Sequence, residues 1–80
     1  MDLVSLTEFI VKSIVSDEEA VSVKEFDSED ENTILIQVIV SEEDMGKVIG
    51  KQGKMAKAIR SIVKAIATKE HKKVNVEFLD

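Results

Sequence analysis

The chain has 80 residues, 44% of them hydrophobic, which suffices for the core of one small domain and not for two. It contains no cysteine, which excludes disulfides, thiolate metal ligands and a cysteine nucleophile. No apolar stretch approaches the length of a membrane-spanning helix, and the N-terminus lacks a basic region followed by an apolar run. We therefore expect neither a membrane span nor a signal peptide, and a cytoplasmic location.

The net charge is −5, which by itself argues against nucleic acid as a ligand. The charges are unevenly distributed, however. Residues 46–73 contain nine basic residues and one acid, whereas the rest of the chain contains two basic residues and fifteen acids. This segregation predicts a basic face. An ordinary solvated helix surface is the alternative interpretation of the basic residues taken alone.

The first half of the chain predicts a helix followed by two strands. Asp2 or Ser5 can cap the helix, and Ser5 with Glu8 has the spacing of a capping box. Alternation over residues 20–26 predicts a strand, residues 27–32 a polar loop, and the β-branched run 34–40 a central strand. Apolar residues at helical spacing predict the buried side of the helix: Leu3, Leu6, Phe9, Ile10, Ile14 and Val15.

The second half predicts two helices and a last strand. Ser41 can cap a short helix that ends near Gly50, a longer helix starts beyond Gly53, and residues 74–78 alternate as a strand. The order α-β-β-α-α-β predicts an α+β fold, with helices on one face of a three-stranded sheet. The apolar face of the longer helix comprises Met55, Ala56, Ile59, Ile62, Val63 and Ile66.

All three glycines lie within residues 46–53, inside the basic segment. Gly50 and Gly53 bracket Lys51 and Gln52 between the two helical patterns. Glycine lets a backbone approach a phosphodiester chain closely and also tolerates left-handed dihedral angles. The helix after Gly53 would present free amides and a positive dipole end to an anion. The pattern therefore favours a nucleic-acid-binding loop.

The sequence Ile49-Gly50-x-x-Gly53 between two helices resembles the nucleic-acid loop of the KH domain, and the element order resembles its prokaryotic, type II form. Residues 42–53 and 56–60 are similar almost residue for residue to small bacterial single-KH-domain proteins of the KhpA family. Two departures are Ser41, where these proteins often have proline, and Met55, where they often have a branched aliphatic residue. The resemblance covers the full length and implies one KH domain over residues 1–80, with an N-terminal helix.

This resemblance also implies a function. Proteins of the KhpA family bind single-stranded RNA and are considered probable RNA chaperones. They pair with a second KH protein of the Jag (KhpB) type and influence cell elongation, cell shape and peptidoglycan homeostasis. By resemblance we expect RNA as the ligand, with single-stranded DNA as an open alternative, a Jag/KhpB-type partner, and no cofactor.

The resemblance implies the site residues as well. In KH domains the loop clamps the backbone of about four nucleotides while the bases lie in an apolar groove. Gly50, Lys51, Gln52 and Gly53 would hold phosphates. The surrounding positive field would come from Lys47, Lys54, Lys57 and Arg60, the groove wall from Val48, Ile49, Met55 and Ala56, and the floor from Ile36 and Val38. With no tyrosine or tryptophan, we expect no aromatic stacking platform. Because one groove contacts so few bases, we expect weak, sequence-tolerant binding.

Other sites fit the sequence poorly. A nucleotide phosphate loop needs four residues between its first glycine and Gly-Lys-Ser/Thr, whereas three separate Gly46 from Gly50. Asp27, Glu29 and Glu31 have the opening spacing of a calcium loop, but Asn32 occupies the position that requires glycine. His71 has no ligand companion, which favours an exposed turn residue. No nucleophile, base and orienting group can be assembled, so we expect no enzyme and no metal site.

A protein-interaction module, with RNA binding secondary, is the competing hypothesis. If the apolar stripe of the longer helix exceeds what a small sheet can cover, the surplus would favour a homodimer or a partner helix. The simpler interpretation of Ile59, Ile62 and Ile66 is that each belongs to the core.

Overall fold

The computed structural model describes residues 2–28, 30 and 32–79. Residues 50–53 have non-helical dihedral angles and divide the second helix into a first arm, residues 42–49, and a second arm, residues 54–69. This division confirms the predicted order α-β-β-α-α-β. The elements are α1 Leu3–Ile14, a 3-10 turn Glu18–Ala20, β1 Ser22–Asp27, β2 Thr33–Ile39, α2 Glu42–Lys69 and β3 Lys73–Leu79.

The three strands form one mixed sheet in the order β1-β2-β3. Strands β1 and β2 are antiparallel, with Val23 opposite Val38, and β2 and β3 are parallel, with Ile36 opposite Val76. Alternate residues of β2 and β3 are buried in one core with α1 and the second arm of α2. The helices therefore cover one face, as predicted, and Phe26 and Ile39 remain exposed on the sheet.

Helix α1 is capped by Asp2, whose carboxylate accepts a hydrogen bond from the amide of Val4 at 3.0 Å. Ser5 is not the cap, since its hydroxyl donates to the same carboxylate at 2.8 Å. The predicted buried side was wrong at two positions. Phe9 is 72% exposed and Ile14 is exposed.

The buried side of α1 is instead centred on Leu3, Thr7 and Val11, which recur every fourth residue and so share one face. Phe9 is two positions from Thr7, a rotation of about 200° around the helix, and therefore points away from the sheet. Burial of Thr7 is tolerated because its hydroxyl donates to the carbonyl of Leu3 at 2.7 Å.

The second arm of α2 buries Ala56, Ile59, Val63 and Ala67 against the sheet. Ile62, predicted on the same face, lies at its edge and is 46% exposed. The arm ends in a Schellman motif: the amide of Lys72 donates to the carbonyl of Ala67, and that of His71 to Thr68. His71 is thus the left-handed cap residue of an exposed turn. No helix in the described part of the chain could cross a membrane.

A buried carboxylate fixes the start of α2. Ser41 caps the helix as predicted, its hydroxyl accepting from the amide of Asp44 at 3.1 Å. The Asp44 carboxylate accepts from the amides of Ser16 and Asp17 at 2.9 and 3.0 Å, which ties the segment after α1 to the first arm. These two amides, with the Ser41 hydroxyl and nearby Lys47, lower the pKa of Asp44 below its usual range.

Replacement of Asp44 by asparagine is expected to destabilise the domain, because an amide NH₂ would face one of two backbone donors. We expect the melting temperature at neutral pH to fall by about 5 to 10 °C. A carboxyl group with a lowered folded-state pKa stabilises the fold fully above its unfolded pKa, about 3.9, and loses this effect as the pH falls through the folded value. The difference between native and variant protein should therefore shrink in acid.

Thermal unfolding between about pH 2 and 7 checks this expectation. Asp17→Asn makes the same chemical change on an exposed neighbouring side chain and serves as the control. Equal melting temperatures of native protein and Asp44→Asn at neutral pH would show that the hydrogen bonds of the Asp44 carboxylate contribute nothing to stability.

Candidate nucleic-acid interface

The bend between the two arms of α2 is formed by an unusual run of left-handed residues. Gly50 is extended, with φ −60° and ψ 166°, and Lys51, Gln52 and Gly53 follow with φ of 53°, 66° and 69°. Left-handed dihedral angles cost a residue with a side chain about 1 to 2 kcal/mol. Two such residues in sequence make Lys51 and Gln52 a strained turn, and strain of this kind is concentrated at functional sites.

The bend exposes its two central side chains. Lys51 and Gln52 are exposed, and the second arm starts directly beyond them. The first amides of a helix have no intrahelical acceptor and carry the positive end of the helix dipole. The bend therefore presents a cation, a neutral hydrogen-bonding side chain and helix-start amides together, which suits a phosphate group.

Gly53 and Gly50 are glycines for different reasons. At position 53 the backbone conformation itself favours glycine, because a φ of 69° disfavours any residue with a Cβ atom. Gly50 has dihedral angles open to every residue type, and a Cβ atom added there would meet nothing within 4 Å. The fold itself therefore does not require glycine at position 50.

An open groove of about 820 Å³ runs along the first arm up to the bend. Gly46 also lies on it, and a Cβ atom at this position too would meet nothing within 4 Å. Ile49, 48% exposed, contributes an apolar side chain, and Glu42 contributes a carboxylate. The residues lining the groove are Val40, Glu42, Met45, Gly46, Ile49 and Gly50.

Four of the predicted groove residues are buried instead. Val48 and Ala56 face the interior, and Ile36 and Val38 have no exposed surface. In this structure their side chains have almost no surface with which to contact a ligand. Met55 is half-buried. Sequence reasoning missed Val40, Glu42, Met45 and Gly46 as lining residues, although the helical spacing of residues 42, 45, 46 and 49 is a signal that could have found them.

The basic residues divide into free and engaged groups. The side chains of Lys51, Lys54 and Lys57 are exposed and form no hydrogen bond or ion pair within the described residues. Lys47 donates to the Ser16 hydroxyl at 3.0 Å and lies 3.9 Å from the carboxylate of Asp44. Lys47 therefore reinforces the contact between Asp44 and the segment after α1. It contributes less to the positive field at the bend than the free lysines do.

Arg60 is also engaged. Its Nε donates to the carbonyl of Val76 at 2.9 Å, and its guanidinium lies 5.6 Å from the ring centre of Phe78. These contacts join the second arm to β3, so its first role is structural. Of the four cations predicted around the loop, Lys54 and Lys57 are the ones left free.

Comparison with known proteins places this geometry in a family. The family model described as "KhpA/KhpB, KH domain" matches residues 4–78, which include the helices, the sheet and the bend. The chain belongs to the KhpA/KhpB family of KH domains. The resemblance stated from the sequence is thereby confirmed.

Relatives within the KhpA/KhpB family are similar over almost their whole length. The protein named RNA-binding protein KhpA from Clostridium perfringens is 55% identical over 92% of this chain and 96% of its own. Its namesakes in Clostridium acetobutylicum and Caldanaerobacter subterraneus are 50% and 49% identical over the same shares. These relatives are named as binding proteins, which confirms the prediction that the chain is not an enzyme.

Solved structures with the same fold are larger. Aquifex aeolicus Era bound to GDP.AlF4- matches 98% of this chain and 31% of its own, with 22% identity and a TM-score of 0.60. Era in complex with MgGDPNP and nucleotides 1506–1542 of 16S ribosomal RNA matches with a TM-score of 0.58 and 22% identity, over 98% of this chain and 30% of its own. This KhpA/KhpB domain thus shares its fold with about a third of each Era chain.

Proposed function

We propose that this KH domain binds single-stranded RNA, with the bend at residues 50–53 holding the sugar-phosphate backbone. The observation that carries the proposal is Gly50. A glycine in ordinary extended dihedral angles, with open space where its Cβ atom would lie, has no purpose within the fold. It has a purpose if another backbone must come into contact there.

The free cations support the same location. Lys51 lies on the bend, and Lys54 and Lys57 lie on the first turns of the second arm, without intramolecular partners among the described residues. The similarly sized relatives are named RNA-binding proteins, which supports RNA as the ligand. Phosphates would lie against the bend and the first turns of the second arm.

The bases would then lie in the groove along the first arm. Ile49 and Met45 provide aliphatic surface, and Gly46, which has no side chain, leaves room for a flat base to approach. The carboxylate of Glu42 repels phosphates, which keeps the backbone on the Lys51 side, and it can accept hydrogen bonds from base amino groups. Such a groove contacts few bases, so binding should be weak and tolerant of sequence.

The proposal is tested by titrating the native protein with short unstructured RNA at two salt concentrations. If ~2 to 3 phosphates are neutralised, log K should fall with log salt with a slope of roughly −1.4 to −2. Parallel titrations with single-stranded DNA and with duplex RNA define the ligand class. Absence of saturable binding to unstructured RNA at low salt would contradict the proposal.

We also propose the finer role that the family resemblance implies: an RNA chaperone acting in the cytoplasm with a Jag/KhpB-type KH protein in control of cell elongation and peptidoglycan homeostasis. This role rests on the family resemblance alone, and the family itself is shown by the match to the model described as "KhpA/KhpB, KH domain". Co-purification of this chain with the Jag/KhpB-type protein of the same organism tests the partnership. Absence of a complex at micromolar concentrations would contradict it.

A homodimer is the second candidate function, and the exposure of Ile62 favours it. This side chain lies on the edge of the second arm, and 46% of it is uncovered by the sheet. Light scattering of the native protein separates monomer from dimer. The two candidates are compatible, because Ile62 is not among the residues that line the groove at the bend.

A further inference from the structure

A second pocket, which unlike the groove is lined by lysines, lies at the end of the second arm that is away from the bend. Its volume is about 280 Å³, and its lining includes three lysines, two threonines and an asparagine. No acidic side chain lines it. The polar lining residues are Thr33, Lys64, Thr68, Lys72, Lys73 and Asn75.

The three lysines are not used by the fold. The side chains of Lys64, Lys72 and Lys73 are exposed and form no hydrogen bond or ion pair within the described part of the chain. Two carboxylates lie within electrostatic reach of these lysines: Glu70, on which Lys72 acts, and Asp30, which is held within its own turn by the amide of Asn32 and the hydroxyl of Thr33. These two contacts, and then Lys73, lower the pKa of Asp30, so Lys73 is close enough to act on it without pairing.

A continuous polar stripe connects the bend to this pocket. Residues of the second arm at intervals of three and four lie on one helix face, and five such residues are exposed. None of the residues from 54 to 69 is acidic. The helical rise of 1.5 Å per residue makes the stripe about 21 Å long. Its members are Lys54, Lys57, Ser61, Lys64 and Thr68.

We infer that the stripe and the second pocket form a track for the RNA backbone, which guides the strand from the bend to a second phosphate site at Lys64, Lys72 and Lys73. This inference rests on the proposed RNA binding and extends it. The about four nucleotides held at a KH loop are proposed to occupy the bend and the groove along the first arm, so the about 21 Å along the second arm would be followed by nucleotides beyond them. The second site therefore acts only on strands that continue beyond the bend.

The test compares two RNA lengths and two double variants. One RNA has about four nucleotides, the length held at a KH loop, and the other has about three times that length. Lys64→Gln with Lys72→Gln removes two cations from the second site. Lys12→Gln with Lys24→Gln removes two cations outside the basic segment and is the matched control. Thermal unfolding confirms that both variants remain folded.

The native protein should bind the longer RNA more tightly than the shorter one. The variant at Lys64 and Lys72 should bind the longer RNA about ten-fold more weakly and lose roughly 1.4 from its salt slope, while its affinity for the shorter RNA stays unchanged. The control variant should bind both RNAs like the native protein.

Four results would overturn the track. An equal loss for both lengths would show that the lysines act only through the general field, and an unchanged affinity for the longer RNA would show that no phosphate reaches the second site. If the native protein bound neither RNA, the proposed function itself would fail, and the track with it. Normal binding of the short RNA by every variant, with no effect of length, would leave the proposed function intact and remove the track alone.

Discussion

Substitution of Lys51 and Gln52 by aspartate is expected to abolish RNA binding while the domain stays folded. Both side chains are exposed at the tip of the bend, and both residues have left-handed dihedral angles. Aspartate tolerates this conformation better than most residues, so the backbone of the bend should be kept. The two new carboxylates would repel the phosphates that the bend is proposed to hold.

Circular dichroism and an RNA titration check this result together. The matched control is Lys51→Asn with Gln52→Asn, which keeps the preference for left-handed angles but adds no negative charge. We expect the control to bind RNA more weakly than the native protein and more tightly than the aspartate variant. Native affinity in the folded aspartate variant would remove the bend from the mechanism.

Gly50→Ala is expected to separate binding from stability. Its dihedral angles suit alanine, and the added methyl group meets nothing within 4 Å. Replacing glycine where alanine fits should raise the free energy of unfolding by about 0.4 to 1 kcal/mol, because the unfolded chain loses freedom. The same methyl group would hold a phosphodiester backbone away from the bend, and we expect affinity for RNA to fall at least about ten-fold.

Chemical denaturation and RNA titration of the same sample measure both effects. Gly53→Ala is the comparison, because its φ of 69° should make alanine costly for the fold as well as for binding. A Gly50→Ala variant that is destabilised as much as Gly53→Ala would show that position 50 serves the fold. One that binds RNA like the native protein would show that close approach there is unnecessary.

Local patterns predicted much of the fold. Period-two alternation located the first and third strands, the β-branched run located the second, and the glycine pair located the bend, because these signals all lie in neighbouring residues. The exposed side of α1 was harder to predict. Apolar residues nearly surround that helix, so periodicity alone could not choose between a face with Phe9 and one with Val11.

The site depended on contacts that no local pattern records. Lys47 is bound to Ser16 across 31 positions of the chain, and Arg60 to Val76 across 16. The sequence alone predicts both as part of the positive field around the loop. The burial of Ile36 and Val38 under the helices likewise follows from which sheet face is covered, a property of the whole domain. The strained angles of Lys51 and Gln52 gave no sequence signal, since lysine and glutamine do not favour them.

The most direct test of RNA binding at the bend is a map of backbone amide chemical shifts as the native protein is titrated with short single-stranded RNA. The largest changes are expected at Lys51, Gln52 and Gly53, with smaller ones at Gly46 and Ile49 along the groove. Changes centred on the open sheet face around Phe26 and Ile39, with the amides of the bend unmoved, would contradict the proposal.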